Sequence, residues 1–380
     1  MKIAFVSLMR IAPWGGSEEL WSKTALHALG EGHTVETLTY GWIPDSPRIV
    51  QLQQAGIITK FYHDDSRVLL DRIKVRLRLQ TPKSELVPLL NADIIVISNG
   101  SIWDFLYFKN ITNKIVALGK PYILLAHSAF DSSNNLNKAD REYAMRFIAN
   151  AAKRLFVSER NRESAERQLA AAISDYQVVN NPVSIQEPGI RPYPSSSKLL
   201  LACVGSLTCD SKGLDILLEA LSSDVWRKRD FHLKFYGAGP DREYLEQLIH
   251  FYDLQGKVTL EGHVRNVNQI WETDQVLILP SVFEGVPMVV VEAMLMGRPV
   301  LATDVGGVER YVREGETGFM VQSAKAKYLA VGLQKLWDNR ANLQQMGERA
   351  YHHAIAITDL HPLKSFLDII EKAQYAALTK

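Results

Sequence analysis

Only two cysteines, Cys203 and Cys209, occur among 380 residues. Two are too few for a disulfide framework, and their spacing matches neither a C-x-x-C redox pair nor a zinc site, so free thiols in a reducing cytosol are expected. Neither sign of charge is in excess: 43 basic against 42 acidic side chains give a formal net charge of +1. That balance removes any global case for nucleic acid or for an acidic partner and confines electrostatic recognition to local sites. No apolar run approaches the roughly 20 residues needed to span a bilayer. The opening MKIAFVSLMRIAPWGG is broken by Arg10 and lacks a small-residue cleavage site, which reads as a first strand rather than a signal peptide. The chain offers no Asp-x-Asp or histidine cluster in a metal-binding context, so neither metal nor cofactor is expected. Low-complexity segments and a sequence repeat between the halves are also missing.

What is present is an ordinary soluble composition, with 47% hydrophobic and 22% charged residues. The length exceeds the ~250–300 residues at which one core stops growing, so two domains are expected. Short apolar runs alternate with helical patterns from the first residues. Strands are predicted at Ile3–Leu8, Thr34–Thr39, Ile94–Ser98, Tyr122–Ala126, Leu155–Ser158 and Gln177–Val179, with helices at Ser17–Leu29, Ala139–Ala152 and Glu163–Ala172. Such alternation implies right-handed βαβ units in a parallel sheet covered on both faces. Residues 184–198, SIQEPGIRPYPSSSK, lack periodicity and read as a linker between a domain at 1–183 and a second at 199–360. In the second, strands are predicted at Leu199–Val204, His232–Tyr236, Val258–Leu260, Val276–Leu279, Val300–Ala302 and Phe319–Val321. The fold class is therefore α/β: two Rossmann-like, doubly wound parallel-sheet domains facing a cleft, where strand carboxyl ends gather.

The most informative segment is PSVFEGVPMVVVEAMLMGRPV. Glu284 stands in a loop after a strand, and Glu292 interrupts one of the most apolar stretches of the chain. Its burial is costly unless hydrogen-bond donors meet it. Pro287 suits the first turn of a helix, and Gly285 lets another molecule approach the backbone. Helical side chains lean toward the N-terminus, so Glu292 is placed to reach toward the Glu284 loop. Free N–H groups at the helix start, around Val286, Pro287 and Met288, favour a phosphate. Two carboxylates flanking an anion site suit a sugar nucleotide. The plainer reading is a loop Glu and a helix Glu satisfied by capping or by an internal Arg.

Other candidates fall where strands give way to loops. Gly15-Gly16 follows the first strand and either cradles an anion or makes a simple turn. Lys212 in GSLTCDSKG is a compact charge suited to a phosphate or a solvated surface Lys. His127 closes the strand YILLA, as a structural hydrogen-bonder or a partner for a reacting hydroxyl. Gly262-His263-Val264 is placed to present backbone to a flat base. The run GAGP fails as a dinucleotide fingerprint, because the third glycine of G-x-G-x-x-G falls on Arg242.

Taken in order, these segments resemble the family 4 retaining glycosyltransferases of GT-B architecture. The resemblance runs from residue 1 to about 360 and rests on GGSE, NNPV, VGSLTCDSKG, EGHV, EGVPMVVVE as the E-x7-E signature, and DVGGVERYVREGETGFMV. It implies that the first domain is the acceptor side, that the second binds the nucleotide sugar, and that a last helix in 361–380 crosses back to the first. It implies that Glu284 binds donor-sugar hydroxyls and Glu292 the ribose, while Lys212 and the N–H groups of Val286, Met288 and Gly16 neutralise the diphosphate. His127 is implied beside the sugar, and the anomeric configuration is implied to be retained without a metal. Two departures stand out: Ser206 replaces the usual phosphate-binding Arg, and Glu309-Arg310 replaces a commoner Pro-Glu.

The implied function is transfer of a hexose or N-acetylhexosamine from a nucleotide-diphosphate sugar, UDP-sugar favoured, to a glycan or lipid-linked acceptor in envelope or extracellular polysaccharide synthesis. A GT-B epimerase or phosphorylase and a non-catalytic sugar-nucleotide or glycan binder are the alternatives. Finally, Arg67–Lys83 sets six basic residues against the single acid Asp71, amid seven aliphatic residues. This is either a solvated face or a surface for anionic headgroups, the latter giving peripheral attachment at the cytoplasmic leaflet.

Overall fold

Runs of β-branched and aliphatic residues too short for helices become strands buried on both faces, as parallel sheets require. The structure is a computed structural model that describes residues 1–9, 14–41, 46–62, 89, 91–128 and 136–379. The basic segment Arg67–Lys83 lies outside the described residues. The chain divides into one unit of Met1–Pro182 with His361–Lys380 and a second of Val183–Leu360.

In the first unit, β1 (Lys2–Ser7), β2 (Thr34–Tyr40), β3 (Ile58–Tyr62), β4 (Ile94–Asn99), β5 (Tyr122–Ala126), β6 (Lys153–Phe156) and β7 (Tyr176–Val178) form a sheet ordered β3-β2-β1-β4-β5-β6-β7. All neighbours are parallel; Ile3 pairs with Val35 on one side and Ile94 on the other. The two-residue period sends Ile3, Phe5, Ile94 and Val96 to one face, against Leu20 and Trp21 of the helix Ser17–Gly30 and Phe366 and Ile370 of the helix Pro362–Leu378. Ala4, Val6, Ile95 and Ile97 go to the other, against Phe105, Ile115 and Phe147. The last helix is thus part of the first unit's core.

In the second unit, β8 (Leu199–Val204), β9 (Phe231–Tyr236), β10 (Val258–Gly262), β11 (Val276–Leu279), β12 (Val300–Thr303) and β13 (Gly318–Val321) form a parallel sheet ordered β10-β9-β8-β11-β12-β13. Helices Leu214–Leu221 and Ala326–Asp338 cover one face; Met288–Leu295 and Leu343–Ile357 cover the other. In each sheet the strand order reverses direction once, between β1 and β4 and between β8 and β11. In doubly wound sheets ligands bind outside the strand carboxyl ends at such switch points.

Several expectations shift. The segment 184–198 is packed into the second unit: Gly189 N–H donates to the Leu295 carbonyl (3.0 Å), and the fully buried Arg298 donates to the carbonyls of Arg191 (3.2 Å), Pro192 (2.7 Å) and Asp274 (3.1 Å). Carbonyls of an aperiodic chain are fixed here by one internal guanidinium, a partner that local sequence does not reveal. Ser158, expected to end a strand, instead caps the helix Glu159–Leu169 by accepting the Asn161 N–H at 3.2 Å, so that helix starts four residues early. Strand β3 and the helix pair Ala326–Asp338 and Leu343–Ile357 add to the expected elements. Pro287 caps the helix Met288–Leu295 rather than beginning it.

Candidate active site

The second unit's switch point is built by glycines. Gly213 holds φ +59 at the end of the turn Cys209–Lys212, and a Cβ there would stand 2.4 Å from the Pro280 carbonyl oxygen. Only glycine allows the loop after β8 to lie against the loop after β11. The Ser211 carbonyl then accepts the N–H groups of Val282 (2.9 Å) and Phe283 (3.3 Å). The backbone so registered brings Lys212 Nζ to 2.5 Å from Glu284 Oε1. Ser281 donates its hydroxyl to the same oxygen at 2.7 Å, and its own carbonyl accepts the Thr303 hydroxyl at 2.6 Å. On the far side, Gly306 at φ +57 would place a Cβ 2.1 Å from the Gly285 carbonyl, which accepts the Gly307 N–H at 2.9 Å. The GGVER run therefore buttresses the Glu284 loop.

Lys212 and Glu284, expected to address phosphate and sugar separately, here satisfy each other. Glu292 is buried, and its Oε1 accepts the Ser184 N–H at 2.8 Å. This donor to the buried carboxylate comes from the segment read as a linker. Met288 and Val289 open the helix, where N–H groups lack intrahelical acceptors.

Ser206 and Val264 come together around a cavity of about 340 Å³ that is also lined by Gly205, Tyr236, Gly237 and His263, at the carboxyl ends of β8, β9 and β10. Ser206 also borders a small void of about 10 Å³ shared with Lys212 and Ser281. The GAGP run packs rather than binds: Cβ atoms at Gly237 and Gly239 would fall 1.7 Å from the Gly205 and 2.4 Å from the Leu207 carbonyl oxygens. Cys203 and Cys209 are free and buried, and burial pushes both thiols up to about 12.

In the first unit, Gly15 and Gly16 follow β1 and enter the helix Ser17–Gly30, with their carbonyls accepting the N–H groups of Glu18 (3.0 Å) and Glu19 (3.3 Å). Among the described residues a Cβ on Gly16 would meet nothing within 4 Å. His127 is 4% exposed, with Nε2 at 3.3 Å from the Ser98 hydroxyl and its carbonyl accepting Asn161 Nδ2 at 3.1 Å. Burial drives its pKa down to about 3, opposed by Asn181, so the imidazole is neutral. Among the described residues His127 Nδ1 and Asn181 Oδ1 are buried with no partner in good hydrogen-bond geometry, although Asn181 is near enough to act on the imidazole.

Glu18 escaped the sequence reading. Its carboxylate is 4% exposed and accepts Trp21 Nε1 at 2.7 Å. Burial raises its pKa to about 7, against hydrogen bonds from Ser7, Trp21 and Ser17. The signal was present as a carboxylate in the first helical turn with an indole donor three residues on. Ser281 and Thr303 were missed as well: Thr303 donates to the Ser281 carbonyl across 22 residues, and the Ser281–Glu284 contact, only three residues apart, lies in a loop with no periodic signal.

Residues 198–339 match the model of the glycosyl transferases group 1. Over that segment the chain is similar to the group 1 glycosyltransferases. It is 25% identical over 358 residues to an uncharacterized glycosyltransferase of Haemophilus influenzae, covering 92% of this chain and 94% of that one. Among solved structures, a glycosyltransferase from Rickettsia africae aligns with a TM-score of 0.74 at 19% identity, covering 98% of both chains. Anabaena HepE in complex with UDP-glucose aligns with a TM-score of 0.71 at 17% identity over the full length of both. These likenesses give the fold, that of the GT-B glycosyltransferases.

Proposed function

We propose that this protein is a retaining glycosyltransferase that moves a hexose or N-acetylhexosamine from a UDP-sugar to a hydroxyl of a glycan or lipid-linked acceptor, in envelope or extracellular polysaccharide synthesis. The observation that carries the reading is the Lys212–Glu284 pair, set at the switch point of a doubly wound sheet where Ser206 borders both the small void lined by Lys212 and the 340 Å³ cavity. The preference for uridine rests on the UDP-glucose held by Anabaena HepE.

In this reading the nucleoside occupies the cavity beside Ser206 and Val264, Glu292 takes the ribose, and the diphosphate lies at the start of the helix Met288–Leu295. Lys212 and the helix N–H groups carry the charge that grows as the anomeric carbon–oxygen bond breaks and its electron pair passes to the diphosphate. The acceptor hydroxyl attacks the same face, and its proton goes to the departing phosphate oxygen. Glu284 holds sugar hydroxyls near the developing positive charge. His127, neutral by burial, serves as a hydrogen-bonding group and not as an acid. The reading requires no metal. For a lipid-linked acceptor, Arg67–Lys83 is the segment assigned to an anionic membrane surface, and flotation with anionic against neutral liposomes tests it.

A thermal-shift panel of UDP-, GDP- and ADP-sugars tests the donor assignment. Ligand at 100 times its dissociation constant adds about 2.7 kcal/mol of stability. Stabilisation by a UDP-sugar with release of UDP is the expected result, and no shift with any of the three overturns the reading.

A further inference from the structure

Glu284 has two side-chain partners among the described residues, and both reach the same oxygen: Lys212 Nζ at 2.5 Å and the Ser281 hydroxyl at 2.7 Å. On the donor-site reading, Lys212 cannot serve Glu284 and the diphosphate equally. A diphosphate carries more charge than one carboxylate, so the ammonium turns toward it when the donor enters. Glu284, with only 12% of its side chain exposed, then loses its cation and has little water to replace it.

Ser281 is built to stay behind. It is fully buried, follows Pro280, and its carbonyl is held by the Thr303 hydroxyl at 2.6 Å. The next two N–H groups, of Val282 and Phe283, are tied to the Ser211 carbonyl. The hydroxyl is thereby aimed from a fixed backbone at Glu284 Oε1, which leaves the other carboxylate oxygen for a sugar hydroxyl.

We propose that Ser281 is a positioning residue, whose hydroxyl holds Glu284 in its sugar-binding orientation once the donor diphosphate draws Lys212 away. This rests on the donor-site reading above. The balance of the reaction is untouched, since Ser281 moves no proton and makes no bond to substrate.

The full chain is tested as wild type, Ser281→Ala, Ser281→Cys, Glu284→Gln and the Ser281→Ala/Glu284→Gln double variant. Titration calorimetry gives the dissociation constant for UDP, and initial rates give sugar transfer or donor hydrolysis. Ser281→Ala should keep UDP affinity within about twofold and lower the rate at least about tenfold, because the lost contact acts on the sugar end alone. Ser281→Cys, close in shape but a poor donor, should lose rate similarly and guards against a packing defect in the alanine variant. In the Glu284→Gln background, adding Ser281→Ala should change the rate by less than about twofold, the non-additivity of two residues acting as one. Full additivity, equal loss of UDP affinity and rate, or a wild-type rate in either Ser281 variant overturns the proposal. Wild-type protein that binds none of UDP, GDP and ADP overturns the donor-site reading itself, and the proposal with it.

Discussion

Lys212→Ala separates what this lysine does for the fold from what it does for a phosphate. In the free protein the change leaves Glu284, among the described residues, with the Ser281 hydroxyl as its side-chain partner. An exposed ion pair contributes at most about 1 kcal/mol, but here the side chains are only 24% and 12% exposed. Leaving the carboxylate short of a partner costs about 2 kcal/mol, or roughly 4–8 °C in Tm for a domain of this size. In the complex the lost charge-assisted hydrogen bond to phosphate costs a further 2–3 kcal/mol, about 30- to 150-fold in the UDP dissociation constant. Ser206, where the family has an arginine, cannot replace the cation. Titration calorimetry with UDP and uridine is the assay, and uridine affinity should stay within about twofold because it has no phosphate to lose. Glu284 also becomes an uncompensated negative charge facing the diphosphate. Lys212→Ala/Glu284→Gln should therefore bind UDP more tightly than Lys212→Ala alone. Equal weakening of uridine and UDP, or a double variant weaker than the single, refutes the assignment.

Glu284→Gln should retain most UDP affinity and lose more than about tenfold in turnover, since under ~1.4 kcal/mol of transition-state stabilisation would not fit its role; steady-state rates decide. Glu18 has a folded pKa of about 7 against an ordinary 4.5, so its contribution is fully present below pH 4.5 and is lost as pH rises through 7. Glu18→Gln should accordingly be more stable than wild type at pH 8, by up to about 3 kcal/mol, and equal to it near pH 4 in urea titrations. An unchanged pH profile counts against a buried, proton-holding carboxyl. Gly213→Ala, forcing a Cβ to 2.4 Å from the Pro280 oxygen at φ +59, should destabilise by at least about 1–3 kcal/mol and lower UDP affinity with it. Sugar transfer should survive EDTA and NMR of the first-formed product should show the donor's anomer; an inverted anomer rules out the front-face displacement.

Most of the order of strands and helices, though not β3 or the helix pair after β13, was legible from the chain alone because doubly wound sheets print it locally: apolar runs of three to seven residues separated by amphipathic helices. Glu284, Glu292 and Lys212 were legible for a related reason, as polar residues at strand ends or inside apolar stretches that local structure cannot explain. Their partners were not. Glu284 meets Lys212 across 72 residues of chain and Glu292 meets the Ser184 N–H across 108. Only the pairing of β8 with β11, and the close approach that Gly213 and Gly306 permit, bring such groups within hydrogen-bond range. The same holds for His127 and Glu18. The sequence places each beside a loop, but packing from several segments strips away the water, leaving one imidazole neutral and one carboxyl with its pKa raised to about 7. Residue type and local period are properties of neighbours in the chain, whereas desolvation and ion pairing depend on neighbours in space, which only the tertiary fold supplies.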